Sequence, residues 1–190
     1  MTKSTEQLLA EIAEEIEKDK TCPLRKTRTH TVPGEGSATA MVAFIGEAPG
    51  QDEDEQGRPF VGRSGQLLRK TIDEVGFKPD DYWIGNIIKC RPPGNRDPSS
   101  EEVEHCKHYL FAQLVLIQPK VIVTLGRYSM GLLIDPKLKI TKIRGQHIKK
   151  DGQLYLPTFH PSAVLRSGME LLPDFRRDIA TARKLAEQAH

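Results

Sequence analysis

The chain has 190 residues, enough for one well-buried domain and short for two, so a single globular unit over 1–190 is expected. Its apolar fraction of 37% gathers into runs such as "AMVAFIG" and "VIVTLG", which argues against a disordered chain. With 28 Lys and Arg against 26 Asp and Glu, the net charge of +2 does not by itself name an anionic partner, so local charge must make that case.

The first segment, "MTKSTEQLLAEIAEEIEKDK", is acidic and amphipathic without an uninterrupted apolar stretch, which reads neither as a signal peptide nor as a membrane span, and a cytoplasmic protein is expected. Ser4 with Gln7 forms a capping box, and Leu8, Ile12 and Ile16 follow on one helical face. "TAMVAFIG", "YWIGNII", "KVIVTLG" and "LYLPTF" have the length and the β-branched or aromatic content of strands. Helical patterns separate them: "SGQLLRKTIDEVG", then "SSEEVEHCKHYLFAQLVLI" with Ser99 and Glu102 as a second capping box, then "RYSMGLLI". "DFRRDIATARKLAEQ" closes the chain as a helix. Apolar strands alternating with helices predict an α/β fold, a parallel sheet covered on both faces. Ligands of such sheets bind beyond the carboxyl ends of the strands. "GEAPG", Asn86, Gly126 and "HPSAVLR" all fall there.

Each of these motifs has a bland alternative. Around Glu47 two glycines and a proline allow backbone to approach a ligand, and Gly62, Ser64 and Gly65 open a helix whose amides suit a phosphate; a glycine-rich turn and a capped helix explain the same residues. Phe60 is an aromatic that stacks on a planar ligand or simply fills core. The acidic run Asp52 to Glu55 offers hard-cation ligands, but reads more readily as a solvated loop. Asn86 presents a donor and an acceptor side by side, which suits a nucleobase edge. His160 is placed for an acid or an electrostatic stabiliser, although a lone histidine is more often structural. Leu165 with Arg166 has the form of an apolar wedge beside a phosphate anchor, or of plain packing. Lys89, Arg91, Arg96 and Arg63 add positive charge to the same edge, which favours a nucleic acid. Three cysteines cannot all pair within one chain, leaving a metal site or buried thiols.

Taken together, "GEAPGQDEDEQGRPFVGRSGQLL", "IGNIIKCRPPGNRDPSSEEVEHC", "ITKIRG" and "TFHPSAVLR" resemble the iron-sulfur-containing, type-four branch of the uracil-DNA glycosylase superfamily, in order from about Cys22 to beyond Arg166. The resemblance implies a three-layer α/β/α sandwich with a central four-stranded parallel sheet, acting in repair by flipping uracil from DNA and hydrolysing its N-glycosidic bond. It implies that Asn86 reads the uracil edge, Phe60 stacks on the ring and His160 faces O2, in a pocket shared with Glu47, Ala48 and Pro49. It implies DNA contacts at Arg63, Ser64, Lys89, Arg91 and Arg166, and a wedge at Leu165, with Val164. Better-known relatives carry a water-activating aspartate where Ala48 stands, so catalysis would lean on leaving-group stabilisation, with Glu47 or Glu53 positioning water; Gly50 replaces the tyrosine that excludes thymine there.

The resemblance further implies a [4Fe-4S] cluster held by four cysteines. Cys22, Cys90 and Cys106 match three, and Asp19 stands at the fourth; a three-thiolate cluster, or zinc with His105 or His108, are alternatives. The implied partners are single- and double-stranded DNA containing uracil, with a monomeric protein and no membrane. Competing readings are a non-excising or covalent uracil-DNA binder, a glycosylase of wider base range that takes hypoxanthine or xanthine, and an iron-sulfur electron carrier. A dinucleotide oxidoreductase is disfavoured because no G-x-G-x-x-G follows the first strand.

Overall fold

A computed structural model describes residues 2–189. In chain order the elements are α1 (Thr5–Lys18), β1 (Glu35–Gly36), β2 (Val42–Gly46), α2 (Gln51–Gln56), α3 (Arg63–Glu74), β3 (Tyr82–Asn86) and α4 (Ser100–Ile117). There follow β4 (Val121–Leu125), α5 (Arg127–Leu133), α6 (Ile140–Ile143), β5 (Ile148–Lys150), β6 (Gln153–Thr158), α7 (Pro161–Arg166) and α8 (Leu172–Gln188). The sheet order is β1-β3-β2-β4-β6-β5, with the central four strands parallel. The expected four-strand sheet is thus the middle of a six-stranded mixed one, because β1 and β5 add antiparallel edges. Strands of two and three residues carry no alternation that a sequence pattern could register.

Alternation sorts the strands onto two cores. Ala43, Ile45 and Ile122 face α4 and α5, packing with Leu110, Leu114, Met130 and Leu133. Val42, Phe44, Val121 and Val123 face the other way, onto Leu68 and Ile72 of α3 and Phe175 and Ile179 of α8. This is the three-layer arrangement, and it leaves the carboxyl ends of β2, β3, β4 and β6 at one edge. Capping is as anticipated at α1 and α4: the Ser4 and Ser99 hydroxyls accept from the amides of Gln7 and Glu102, whose side chains accept in return.

The acidic run is not a solvated loop. It forms α2, and Glu53 and Asp54 are buried. Asp54 accepts the Thr29 amide at 2.9 Å, fastening the segment ahead of β1. The motif containing Arg144 is likewise structural, since Nε and Nη2 form a fork on Asp178 at 3.0 and 2.6 Å, and Thr158 donates to the same carboxylate at 2.7 Å.

Candidate base pocket and cysteine site

A cavity of about 670 Å³ opens at the carboxyl edge, with Glu47, Phe60, Asn86 and His160 in its wall. Its floor depends on a missing side chain. A Cβ on Gly46 would fall 2.5 Å from Asn86 Oδ1 and 2.5 Å from Phe60 Cζ, so a larger residue there would fill the space between ring and amide. Phe60 itself has φ of 53°, which a non-glycine residue adopts with strain. Arg69 of α3 holds it, donating from Nε to the Phe60 carbonyl at 2.8 Å and from Nη2 to the Pro59 carbonyl at 2.6 Å. Gly65 lets α3 pass beneath, for its Cβ would lie 2.0 Å from the Phe60 carbonyl carbon.

Asn86 ends β3 and is buried, yet its Oδ1 has no hydrogen-bond partner. An orphaned buried carbonyl is costly unless something fills it, so it marks where a donor belongs. His160 caps α7. Its Nδ1 accepts from the Ser162 amide at 3.2 Å and from the Ser162 hydroxyl at 2.8 Å, while that hydroxyl accepts from Arg166 at 3.2 Å. Burial, helped by the nearby Arg166 charge, lowers the imidazole to about 4. A neutral ring whose Nδ1 is an acceptor carries its proton on Nε2, as a donor.

The two acidic candidates part company. Glu53 Oε1 accepts the amides of Val61 and Gly62 at 2.9 and 2.8 Å, and Oε2 accepts that of Gly50 at 3.1 Å. It braces the two loops that frame the cavity, each of its oxygens accepting at least one main-chain amide. Glu47 has no such partners; burial first, then the Asp97 charge, raise it to about 7 against the opposing pull of Arg127.

The expected DNA contacts need revision in part. Arg63 and Arg166 are exposed and Ser64, Arg91 and Leu165 half-buried at this edge. Lys89 is fully buried, and Val164 is packed in the core cluster of α3 and α8, so neither can meet DNA directly. The Lys89 stem is long and apolar enough to be swallowed, and Val164 lies on the inner face of α7. Arg96 stays exposed in the cavity wall but forks on Glu102, at 2.9 and 2.5 Å, which offsets its charge there. Sequence reasoning missed Arg127, Tyr128 and Asp97 at the cavity mouth, where Asp97 accepts from Tyr128 and from Arg127. The place of Arg127 just after β4 was the available signal.

Behind the pocket Cys22, Cys90 and Cys106 are all buried and free. The Cys22 and Cys90 sulfurs are 3.7 Å apart, and hydrogen bonding between them lowers Cys22 to about 6 and raises Cys90. Arg28 donates to the Cys90 sulfur at 3.1 Å. Asp19, at the C-cap of α1, accepts from Thr21 on one oxygen and from His105 and Tyr109 on the other, at 2.6 and 3.3 Å for the latter pair. Among the described residues no three His, Cys, Asp or Glu side chains are gathered tightly enough to hold a single metal ion. No helix among them is long and apolar enough to cross a membrane.

The family model described as the uracil DNA glycosylase superfamily matches residues 33–182. A type-4 uracil-DNA glycosylase of Thermotoga maritima is 45% identical over 164 residues, 85% of either chain. One of Archaeoglobus fulgidus is 42% identical over 165 residues, 83% of either chain. A type-5 uracil-DNA glycosylase of Pyrobaculum aerophilum is 28% identical over 150 residues, 70% of this chain and 66% of its own.

Proposed function

The chain belongs to the uracil-DNA glycosylase superfamily and is a uracil-DNA repair glycosylase, and on that premise we propose that the cavity at the sheet edge receives a flipped uracil between Phe60, Asn86 and His160. The observation that carries this reading is the orphaned Oδ1 of Asn86. Uracil N3–H would satisfy it, with the amide NH₂ donating to O4. Cytosine offers an acceptor at N3 and a donor at C4, leaving both polar groups unpaired at a cost of about 1–3 kcal/mol each.

In the reaction the bond from C1′ to N1 breaks, and its electron pair leaves with the uracil ring. The Nε2–H of neutral His160 donates to O2, where negative charge gathers. The chain Arg166 to Ser162 to Nδ1 supports that tautomer, so the donor is in place before the charge develops. Water adds to C1′ and gives up a proton, for which the Glu47 carboxylate in the cavity wall is the acceptor once ionised. Arg63 and Arg166 supply phosphate contacts, and half-buried Leu165 is the wedge.

The relatives' type-4 name goes with an iron-sulfur branch, and the donor set fits such a group: three buried free thiols, two of them 3.7 Å apart and one of that pair accepting from an arginine, suit thiolate ligands. Cys22, Cys90 and Cys106 would hold a [4Fe-4S] cluster with Asp19 at the fourth position, and the cluster would supply a cross-link between the N-terminal segment, the end of β3 and α4. Iron and sulfide analysis of anaerobically purified protein and of Asp19→Ala and Asp19→Cys tests this; a colourless zinc protein refutes it.

For the pocket, excision is measured on single- and double-stranded oligonucleotides carrying uracil, hypoxanthine or xanthine, with product resolved by denaturing electrophoresis. His160→Ala and Asn86→Asp should each lose excision while still folded. Full activity in both variants overturns the pocket assignment, and a protein-DNA adduct in place of free abasic product overturns hydrolysis.

A further inference from the structure

Lys89 was expected at the DNA surface and lies fully buried instead. Among the described residues it pairs with no carboxylate. Its Nζ donates to the main-chain carbonyl of Asn86 at 2.9 Å and sits 5.5 Å from the centre of the Trp83 ring. Burying an amine is costly, and a methionine would fill much the same space without that cost. What the amine adds is the bond to Asn86.

That carbonyl is a weak point in the architecture. β3 ends at Asn86, and the chain bends away through Ile87 and Ile88, whose amides reach back to the carbonyls of Gly46 and Glu47 at 3.1 and 3.2 Å. The amides beyond the strand are therefore engaged, while the Asn86 carbonyl itself depends on Lys89, three residues on. The same lysine is followed directly by Cys90. Its tip thus touches the pocket-facing end of β3, and its backbone leads directly into the cysteine site.

We propose that Lys89 is a positioning residue for base recognition: from behind the pocket its amine fixes the last peptide of β3, and so the direction of the Asn86 amide, to the segment that carries Cys90. The proposal rests on the reading of Asn86 as the group that meets the base. It makes the cysteine site a determinant of how uracil is held, through four consecutive residues rather than through contact with DNA. Either protonation state of the amine can donate the bond.

The test uses the metal-loaded full-length protein and Lys89→Met, with iron and sulfide content and the thermal midpoint measured alongside. Inhibition by free uracil and single-turnover excision then report the pocket, and affinity for an undamaged duplex reports the DNA surface. Lys89→Met should retain its metal and its affinity for undamaged duplex, yet bind free uracil about tenfold more weakly and excise about tenfold more slowly, the loss expected for one buried hydrogen bond left unmade. A merely structural role would lower the midpoint and leave uracil inhibition of the folded protein unchanged; that result overturns the proposal. Should Lys89→Met not fold, Lys89→Gln, a neutral donor of shorter reach, is measured in the same way, and wild-type uracil inhibition there overturns it equally. If the wild-type protein itself does not release uracil, the functional reading has failed; if it does and the variants match it, only this inference has.

Discussion

Replacing Glu53 by glutamine separates support from chemistry. In the native protein one carboxylate oxygen accepts the Val61 and Gly62 amides and the other accepts Gly50, all within 3.1 Å. The glutamine oxygen can keep the first two, at reduced strength because the charge is gone, but its NH₂ then faces the Gly50 N–H. The unmet donor costs about 1–3 kcal/mol, and weakening two charge-assisted bonds costs about 1 kcal/mol each. A loss of about 3–5 kcal/mol follows, which for a chain of this size lowers the midpoint by about 6–20 °C. The single tryptophan, Trp83, lies in the core and offers a fluorescence readout of unfolding. Because the braced loops frame the pocket, kcat/KM should fall as well, but the shape of its pH dependence should not change. Glu53→Ala, which removes every acceptor, should be worse in both respects. The reasoning is refuted if Glu53→Gln melts within a degree or so of wild type while single-turnover excision disappears, for the carboxylate would then be acting on substrate or water.

With Glu47 raised from 4.5 to about 7, excision should rise as pH passes through about 7, and Glu47→Gln should flatten the profile. The folded state favours the protonated acid, so its contribution to stability is fully present below about 4.5 and is lost as pH rises through about 7; wild type and Glu47→Gln melted across that range should diverge accordingly. Gly65→Ala would drive a methyl into the Phe60 backbone, 2.0 Å away at one atom, and should cost both stability and excision, where an ordinary glycine-to-alanine change in a helix gains stability. Asp178→Ala should destabilise the fold by about 3–5 kcal/mol in urea unfolding, since it strands the Arg144 guanidinium and the Thr158 hydroxyl. Binding of uracil DNA should weaken steeply with salt as phosphate contacts release counterions, and Arg63→Ala or Arg166→Ala should each reduce the slope by about one.

The sequence disclosed what depends on local pattern. Val42–Gly46 and Val121–Leu125 are continuous apolar runs, and a strand buried on both faces can hardly look otherwise. Asn86 and His160 were found because topology places any polar residue at a carboxyl edge under suspicion. What escaped was set by partners remote in sequence. The acidic run of α2 carries ordinary surface letters, and only the amides of Thr29, Gly50, Val61 and Gly62 turn Asp54 and Glu53 inward. Lys89 sits in a stretch of basic and proline residues that reads as surface, but its amine finds the end of the preceding strand. Arg69 belongs to an exposed-looking helical heptad, yet it pins the strained Phe60.

Arg28 reaches two carbonyls at the end of α1, those of Ile16 and Glu17, as well as the Cys90 sulfur. α1 also packs against α4. Besides the local bonds from Arg28 and Thr31 to its last turn, α1 is thus held by α4, and Arg28 is itself tied to Cys90. Packing α1 on α4 closes a long loop, which costs chain entropy before the contacts offset it. Cys22 and Cys90, whose sulfurs are 3.7 Å apart, stand where the segment after α1 meets the segment after β3.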